Sequence, residues 1–339
     1  MSGLLVVLSI VLAVVPMVGL LLLVWWLDRY DREPLWLFAL TFLWGAIGGV
    51  VIALIGNGLL DLTLTPVAMA LDAAAQSGSM LQSIVGPTVV APLVEEPAKA
   101  AILIPVIASR SFDDITDGFV YGAAAGLGFG MTENALYFLN AVNNPEAWFD
   151  TVAVRTAFSA VMHGACTAMV GAGLGWGRFR RWWGGLFGGG LGLLLAMGVH
   201  AWWNGLLSFG AVLPDGEWLA SLAIFSLPGI IGAVFLAFQA TLLAQSWRIR
   251  RELIAESEQG HVPRPHAGIV ASWWRRQGYD WLPAGVDHRR YIRALTTLAL
   301  RRHQARLPGG RRDAFYADDV ERLRRHVAVM LKHADYDGE

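Results

Sequence analysis

Apolar residues run in seven long stretches along the chain, separated by shorter polar segments. A helix of about 20 apolar residues is long enough to cross the hydrocarbon core of a bilayer. We therefore predict an all-α polytopic bundle of seven transmembrane spans. They cover residues 4–27, 35–55, 85–108, 119–141, 151–176, 184–207 and 218–245. The less apolar segment 57–83 is predicted to be an interfacial or re-entrant helix rather than an eighth span.

Composition supports an integral membrane protein. Of the 339 residues, 55% are hydrophobic and only 16% are charged. No Lys or Arg precedes the first apolar stretch, which is also too long for the core of a signal peptide, so we interpret it as a retained span. Glycines recur in the fourth and fifth spans, and we predict that they let helix backbones approach closely. They are Gly118, Gly122, Gly126, Gly128, Gly130, Gly171, Gly173, Gly175 and Gly177.

Charge divides the chain into two parts. Residues 1–246 carry 8 Lys and Arg against 15 Asp and Glu, whereas residues 247–339 carry 18 against 12. We predict a transmembrane domain over the first part and a basic cytoplasmic tail domain over the second. The tail has helix-like apolar spacing over 288–307 and 313–333, separated by the breaker Pro308-Gly309-Gly310. The positive charge of the tail favours binding to anionic lipid. A solvated helical hairpin without such binding explains the same charge equally well.

The loops differ in their content of Lys and Arg, which the positive-inside rule relates to orientation. Loops after the first, third and fifth spans are basic, whereas those after the second, fourth and sixth hold no Lys or Arg. We therefore predict a multi-pass protein of the cell membrane, with the N-terminus outside and the tail in the cytoplasm. The basic loop residues are Arg29, Arg32, Arg110, Arg178, Arg180 and Arg181.

Two adjacent acids and a lysine interrupt the third predicted span. Glu95, Glu96 and Lys99 lie in a segment that is otherwise apolar. A charged group near the bilayer centre costs from about 3 to more than 10 kcal/mol, so such groups usually face a protein interior or a water-filled cavity. Lys99 follows the acids by three and four residues, which is close enough on a helix to pair with either one. Such a neutral pair could lie between packed helices. It would leave the second acid without a structural role.

Further polar residues lie in the fourth, fifth and sixth spans. They are Glu133, His163, His200 and Asn204. With 1.5 Å of rise per residue, these residues and the acids of the third span fall about 10 to 18 Å below the outer helix ends. We therefore predict one layer of ionisable groups nearer the outer face. Cys166 near three glutamates is a poor nucleophile, so we interpret it as a packing residue. Arg155 is interpreted as an interfacial residue.

This set of residues suits hydrolysis of a peptide bond. A carboxylate takes a proton from water and later delivers it to the leaving amine, while a His, an Asn or a metal ion stabilises the oxyanion. A proton- or ion-coupled transporter, in which the same groups form a relay, and a non-catalytic scaffold are the alternatives. A relay should continue toward the cytoplasmic face, yet the inner halves of the third to sixth spans hold almost no ionisable residues.

Four segments resemble the motifs of the PrsW family of intramembrane proteases and, more distantly, those of the CAAX-prenyl endopeptidase and bacteriocin-processing superfamily. They are Glu95-Glu96-Pro97-Ala98-Lys99, Gly128-Phe129-Gly130-Met131-Thr132-Glu133-Asn134-Ala135-Leu136-Tyr137-Phe138, His163-Gly164-Ala165 and His200-Ala201-Trp202-Trp203-Asn204. Asp28-Arg29-Tyr30-Asp31-Arg32-Glu33-Pro34 is similar to the family's first cytoplasmic loop. The resemblance covers about residues 20–210. It implies cleavage of a membrane-anchored protein, in the best-known family role an anti-sigma factor cut on its outer side.

Two mechanisms remain open. In the first, a metal ion is held by three side chains, with Glu95 or Glu96 as the base, and zinc is the candidate. Its predicted ligands are Glu133, His163 and His200. In the second, Glu95 activates water directly, the histidines position it and Asn204 stabilises the oxyanion. No HExxH motif indicates zinc by spacing, but two histidines and a third acid exceed what a glutamate mechanism needs, which favours the metal.

The predicted partners follow from this interpretation. We expect a membrane-anchored protein substrate and the lipid bilayer, and we expect no nucleic acid. We predict that seven residues form the catalytic group. They are Glu95, Glu96, Lys99, Glu133, His163, His200 and Asn204.

Overall fold

The computed structural model describes residues 2–75, 78–109, 111–112, 114–180, 182–282, 285–307 and 313–336. Within these ranges every regular element is helical, which confirms the predicted all-α class. The predicted breaker at 308–310 lies outside the described residues, as do Arg110 and Arg181.

The α-helices follow one another with short connections. They are α1 Ser2–Leu27, α2 Leu35–Leu43, α3 Val50–Ala75, α4 Met80–Val85, α5 Ala91–Ala100, α6 Leu103–Ile107, α7 Ile115–Ala141, α8 Pro145–Val154, α9 Ala160–Gly177, α10 Trp182–Val212, α11 Glu217–Glu258, α12 Arg264–Val270, α13 His288–Ala305 and α14 Asp313–Tyr336. Wider π-helical stretches occur between some of them, and one 3₁₀ turn follows α12. These stretches are Trp44–Gly49, Gly86–Val90, Arg155–Ser159 and Arg275–Gln277.

The chain forms two compact units. The first consists of Met1–Leu27, Glu33–Arg178 and Trp182–Phe238. The second consists of Asp28–Arg32, Phe179–Arg181 and Gln239–Glu339. The long helix α11 therefore contributes its first part to one unit and its last part to the other. The predicted domain boundary between residues 246 and 247 stays a prediction.

Within the described ranges, five helical stretches are long and apolar enough to cross a membrane. They are Gly3–Leu27, Leu35–Ala75, Pro145–Gly177, Trp183–Val212 and Glu217–Glu258. The helix α7 has 27 residues and is also long enough. The third predicted span begins at the last residue of α4 and continues through the π-helical stretch Gly86–Val90 into α5 and α6, with a turn at Ala101 and Ile102. Membrane-spanning helices are thus confirmed, and the number seven stays a prediction.

The structure differs from the prediction at residues 57–75. The helix α3 runs through this segment to Ala75 without a break, so no separate helix begins there. One polar residue of this less apolar segment, Asp72, has a structural role. Its buried carboxylate accepts hydrogen bonds from the backbone N–H groups of Leu81 and Gln82 at 3.0 and 3.2 Å. The acid thereby satisfies donors in the first turn of α4 that have no partner within the helix.

The helices α7 and α9 pack at very short range because glycines occupy their line of contact. A Cβ atom on Gly118 would overlap the carbonyl oxygen of Gly171, and one on Gly126 would overlap the carbonyl oxygen of His163. A Cβ atom on Gly130 would lie 2.9 Å from the Cα atom of Ala160. The prediction that these glycines serve close helix packing is confirmed. This packing fixes α9 against the helix that carries Glu133.

The second unit has its own apolar core, formed by the end of α11 with α12, α13 and α14. Its buried members include Ile249, Leu253, Val270, Leu295, Leu298 and Val327. His266 Nδ1 and the Tyr291 hydroxyl share a hydrogen bond of 2.8 Å. Burial lowers the pKa of His266, so the ring is neutral at pH 7. The predicted tail helices over 288–307 and 313–333 are confirmed as α13 and α14.

Candidate active site

Six of the seven predicted site residues form one network in the first unit. The helix α5 carries three of them, and α7, α9 and α10 carry one each. They are Glu95, Glu96, Lys99, Glu133, His163 and His200. The contacts join four helices that are distant in sequence, as their predicted common depth requires.

Lys99 lies at the centre of this network. Its ammonium donates to Glu96 Oε1 at 2.6 Å and lies 2.9 Å from His163 Nδ1. It also lies 4.6 Å from the centre of the Phe129 ring, a distance at which a cation is attracted to the aromatic face. Neither Lys99 nor Glu96 exposes any side-chain surface. The lysine therefore pairs with Glu96, and Glu95 is the acid that the pair leaves out.

Glu96 also orients His200. Its Oε1 atom lies 2.7 Å from His200 Nδ1, so the carboxylate accepts the proton on that nitrogen. A neutral imidazole that donates through Nδ1 has its lone pair on Nε2. That Nε2 atom lies 3.9 Å from Glu95 Oε2. The hydrogen bond to Glu96 thus directs a free nitrogen toward the second acid.

Glu95 differs from Glu96 in its own contacts. Its Oε1 atom accepts a hydrogen bond from Asn57 Nδ2 at 3.3 Å. Its Oε2 atom is buried and has no hydrogen-bond partner among the described residues. Glu96 Oε2 is in the same condition, but only the Glu95 oxygen faces the free nitrogen of His200. This oxygen and this nitrogen are two open acceptor atoms on the same site.

Glu133 reaches the network through His163. Its Oε2 atom lies 2.6 Å from His163 Nε2 and accepts a hydrogen bond of 2.6 Å from Arg155 Nη2. Arg155 also donates through Nε to Asn134 Oδ1 at 3.2 Å, and its guanidinium lies 3.7 Å from the centre of the Tyr137 ring. The arginine is thereby held by three residues of α7. Both ring nitrogens of His163 have partners, Lys99 on one side and Glu133 on the other.

Sequence reasoning missed two residues of this site. Arg155 was interpreted as interfacial, but it pairs with Glu133. The predicted span ends contain a signal for this contact: Arg155 lies four residues and Glu133 eight residues from the outer ends of their spans, within reach of a long arginine side chain. Asn57 was assigned to the interfacial segment, and it bonds to Glu95 because α3 continues past residue 55.

Asn204 occupies a different place from the other predicted residues. Its amide donates to the carbonyl oxygen of Pro87 at 2.8 Å. In the π-helical stretch that contains Pro87, a carbonyl accepts from the residue five positions later, as Gly86 does from Ala91. The residue five positions after Pro87 is Pro92, which has no N–H to donate. Asn204 replaces that missing donor, and its role toward an oxyanion stays a prediction.

Three side chains of the network could hold a metal ion. Among the described residues, Glu95, His163 and His200 each present one ligand atom, and these atoms lie within 4.8 Å of one another. Two nitrogens and one carboxylate oxygen are a donor set of catalytic zinc sites. The open atoms of Glu95 and His200 fit this use directly, whereas His163 would exchange one of its two hydrogen bonds. The predicted set, with Glu133 in place of Glu95, shares both histidines.

The apolar helices and the buried acid–histidine centre define a multi-pass membrane protein with the side chains of a hydrolase. The family model described as PrsW family intramembrane metalloprotease matches residues 33–246. The chain belongs to this family, which confirms the resemblance of the motifs. The match contains every residue of the network described above.

One relative illustrates this membership. The chain is similar to Protease PrsW of Clostridioides difficile (strain 630), with 35% identity over 137 residues. The aligned part covers 39% of this chain and 51% of that protein, so the chain spans about half the length of the relative it matches. No solved structure matches the chain.

Proposed function

We propose that the protein is an intramembrane endopeptidase that hydrolyses a peptide bond of a membrane-anchored protein. Family membership supports peptide hydrolysis as the reaction. The acids and histidines of the network can move protons and bind a metal ion. Glu95, Glu96, His163 and His200 are all buried. The proposal assigns a separate role to each charged residue of the network.

The contact geometry of Glu95 carries this proposal. A buried carboxylate oxygen without a hydrogen bond lowers stability, so native proteins rarely keep one unless it has a use. Glu95 Oε2 is such an oxygen, and it faces the free Nε2 atom of His200. We assign Glu95, His163 and His200 as the residues that hold a metal ion, with zinc as the candidate. When bound, zinc would supply Lewis-acid polarisation of the peptide carbonyl.

Glu96 and Lys99 act as positioning residues in this scheme. Glu96 fixes the tautomer and the ring orientation of His200, as carboxylates beside ligating histidines commonly do. Lys99 balances the charge of Glu96, which has no exposed surface. The same ammonium lies against His163 and limits the movement of that ring. Replacement of either residue should therefore act through the histidines.

Glu133 is the remaining carboxylate, and we assign proton transfer to it. Its side chain is 19% exposed, against 8% for Glu95, so water has better access to it. It accepts the proton of the attacking water and later delivers it to the leaving amine. Arg155 holds the carboxylate in place through a 2.6 Å contact. This assignment exchanges the predicted roles of Glu95 and Glu133, and metal content distinguishes the two versions.

The proposed substrate is a membrane-anchored protein cut in or near the outer part of its span, resembling an anti-sigma factor. The support for the side of cleavage is the charge of the loops, which favours an N-terminus outside and a tail in the cytoplasm. The network lies about 7 to 12 residues from the outer ends of the predicted helices, nearer to that face. Water and substrate then enter from the extracytoplasmic side.

Cleavage in proteoliposomes tests the reaction. The purified full chain is reconstituted with a candidate anti-sigma factor, and cleavage is followed with and without a chelator. We expect cleavage that chelator treatment abolishes and that added zinc restores. The Cys166→Ala variant serves as a control that should remain active, because the buried thiol lies outside the proposed reaction. Cleavage that persists in the chelator would contradict the metal assignment, and loss of activity in a folded Cys166→Ala variant would favour a thiol mechanism.

Labelling of single cysteines tests the sidedness. In a Cys166→Ala background, cysteines replace Asp150, Asp215 or Arg180, which are all exposed side chains. A membrane-impermeant thiol reagent applied to intact cells should label the first two positions and leave the third unlabelled. The reverse pattern would invert the topology and move the proposed cut to the cytoplasmic side.

A further inference from the structure

The second unit contains a cavity of about 770 Å³ with an unusual lining. Five arginine side chains line it, and no Asp or Glu is present among its described lining residues. These arginines are Arg29, Arg248, Arg250, Arg251 and Arg275. Five like charges around one space repel one another unless an anion lies among them. The composition of the lining therefore indicates an anionic ligand.

The arginines differ in how far their charges are balanced. Arg251 donates to Glu252 at 2.9 Å, so its charge has a partner. No ion pair within the described part of the chain involves the guanidinium groups of Arg29, Arg250 or Arg275. This contrasts with other arginines of the unit, which form close contacts with buried carboxylates. At least three positive charges at the cavity thus remain available for a ligand.

The cavity lies where two apolar segments of the chain give way to basic residues. Arg29 and Tyr30 follow the end of α1 at Leu27, and Leu243 belongs to the apolar part of α11. Two tryptophans of the lining, Trp247 and Trp274, are 79% and 82% exposed. Exposed tryptophans beside the end of a transmembrane helix are typical of the lipid headgroup region. A ligand at this depth is more readily a lipid than a soluble molecule.

We propose that this cavity binds the phosphate group of an anionic phospholipid. Arginine presents a planar fork of donors that matches phosphate oxygens, and several arginines together can surround one phosphate. The exposed indole rings of Trp247 and Trp274 would contact the adjoining glycerol and acyl region. The site is separate from the acid–histidine network, so the proposal does not depend on the proposed protease activity.

Lipid retention by the full-length protein tests the proposal. The chain is purified in detergent, incubated with phosphatidylglycerol or phosphatidylcholine, and examined by native mass spectrometry. The cavity variant combines Arg250→Gln and Arg275→Gln. The matched control combines Arg289→Gln and Arg293→Gln, which remove the same charge from exposed positions of α13 outside the cavity. A third variant, Arg250→Lys with Arg275→Lys, keeps the charge.

We expect the wild type and the control to retain one phosphatidylglycerol molecule in preference to phosphatidylcholine. Affinity for phosphatidylglycerol should fall by about 30-fold in the cavity variant, because each of its two lost basic residues contributes roughly 1 kcal/mol near a lipid surface and about 1.4 kcal/mol corresponds to a factor of ten. The lysine variant should retain most of the binding. An unchanged melting temperature of the cavity variant shows that the loss is not caused by unfolding. Equal retention by the cavity variant and the control would overturn the proposal.

A second arm separates a lipid from a soluble phosphate. Inorganic phosphate and glycerol phosphate at millimolar concentration are added to the complex with phosphatidylglycerol. We expect the lipid to stay bound, because the acyl region adds contacts that a soluble phosphate lacks. Displacement of the lipid by inorganic phosphate alone, with phosphate raising the melting temperature of the wild type and not of the cavity variant, would overturn the assignment to a lipid.

Discussion

Buried glutamates occur in both units, and their surroundings differ. In the second unit, Glu256 Oε1 lies 2.7 Å from both Arg302 and Arg324, and its Oε2 atom accepts from Arg324 Nε at 2.8 Å. Glu252 is similarly surrounded, with Arg302 at 3.2 Å and Arg306 at 3.1 Å from Oε2 and Arg251 at 2.9 Å from Oε1. Every carboxylate oxygen of this pair has at least one guanidinium donor.

Two adjacent glutamates of the first unit are only partly satisfied. Glu95 and Glu96 each keep one buried oxygen without a hydrogen bond among the described residues. Their partners are one lysine, one asparagine and a histidine, and the histidine has a free nitrogen. Ion pairs that serve structure tend to be saturated with hydrogen bonds, because each unsatisfied buried group lowers stability. The comparison therefore supports our proposal that the network in the second unit is structural and the one in the first unit is reactive.

Neutral replacement of the two acids gives the largest expected effects. Glu95→Gln should abolish or strongly reduce cleavage, because it removes the charged oxygen that we propose as a ligand of the metal ion. In chelator-treated protein it should leave the melting temperature almost unchanged, because the altered oxygen has no hydrogen-bond partner among the described residues. Glu96→Gln should reduce cleavage and also lower the melting temperature, because Lys99 then loses its buried counter-charge. Cleavage rates and thermal unfolding of both variants in the same detergent check this difference.

Two outcomes would contradict the roles that we assign to the two adjacent acids of the first unit. Wild-type cleavage by Glu95→Gln would remove this residue from the reaction. A larger loss of stability in Glu95→Gln than in Glu96→Gln would show that Glu95 is the structural acid. Either result would assign the reactive oxygen to a different residue of the network.

Removal of one cation from the second unit should affect stability alone. Arg302→Met leaves Glu252 and Glu256 with fewer donors, and breaking a buried ion pair costs about 3 to 5 kcal/mol. Hydrogen exchange of α13 in the full chain should report this loss as faster exchange. Arg293→Met, on an exposed position of the same helix, is the matched control and should change stability by less than about 0.5 kcal/mol. Equal effects of the two replacements would show that the arginine network is not a structural element.

Much of the fold follows from patterns that act over short distances in sequence. Long apolar runs predict helices because a membrane offers no other partner for backbone groups, and α1, α10 and the apolar part of α11 confirm this. The packing role of the glycines at residues 118 and 171 was also predictable, because glycines that recur within apolar helices let the helix backbones approach closely. The site residues were predictable as a group, because a charged side chain in a membrane span has a high free-energy cost. Such side chains therefore tend to lie together in the protein interior or in a water-filled cavity.

Other features depend on contacts that one sequence does not reveal. Which of the two adjacent acids pairs with Lys99 is decided by the rotation of α5 against α9 and α10, and spacing allows either. The continuation of α3 past residue 55 brings Asn57 to Glu95. The helix then runs on through Pro66, although proline usually marks a break. The arginine network of the second unit joins α11, α13 and α14 across more than 40 residues of sequence. Such pairings require the tertiary arrangement.

The metal content of purified variants tests the central assignment most directly. The wild type, Glu95→Gln, Glu133→Gln and Asn204→Ala are purified identically, and zinc is measured by elemental analysis for each chain. We predict about one zinc ion in the wild type, in Glu133→Gln and in Asn204→Ala, and a strong loss in Glu95→Gln. Replacement of a residue that does not touch the metal usually weakens metal binding less than loss of a ligand does. Zinc retained by Glu95→Gln and lost by Glu133→Gln would contradict the assignment and restore the ligand set of Glu133, His163 and His200.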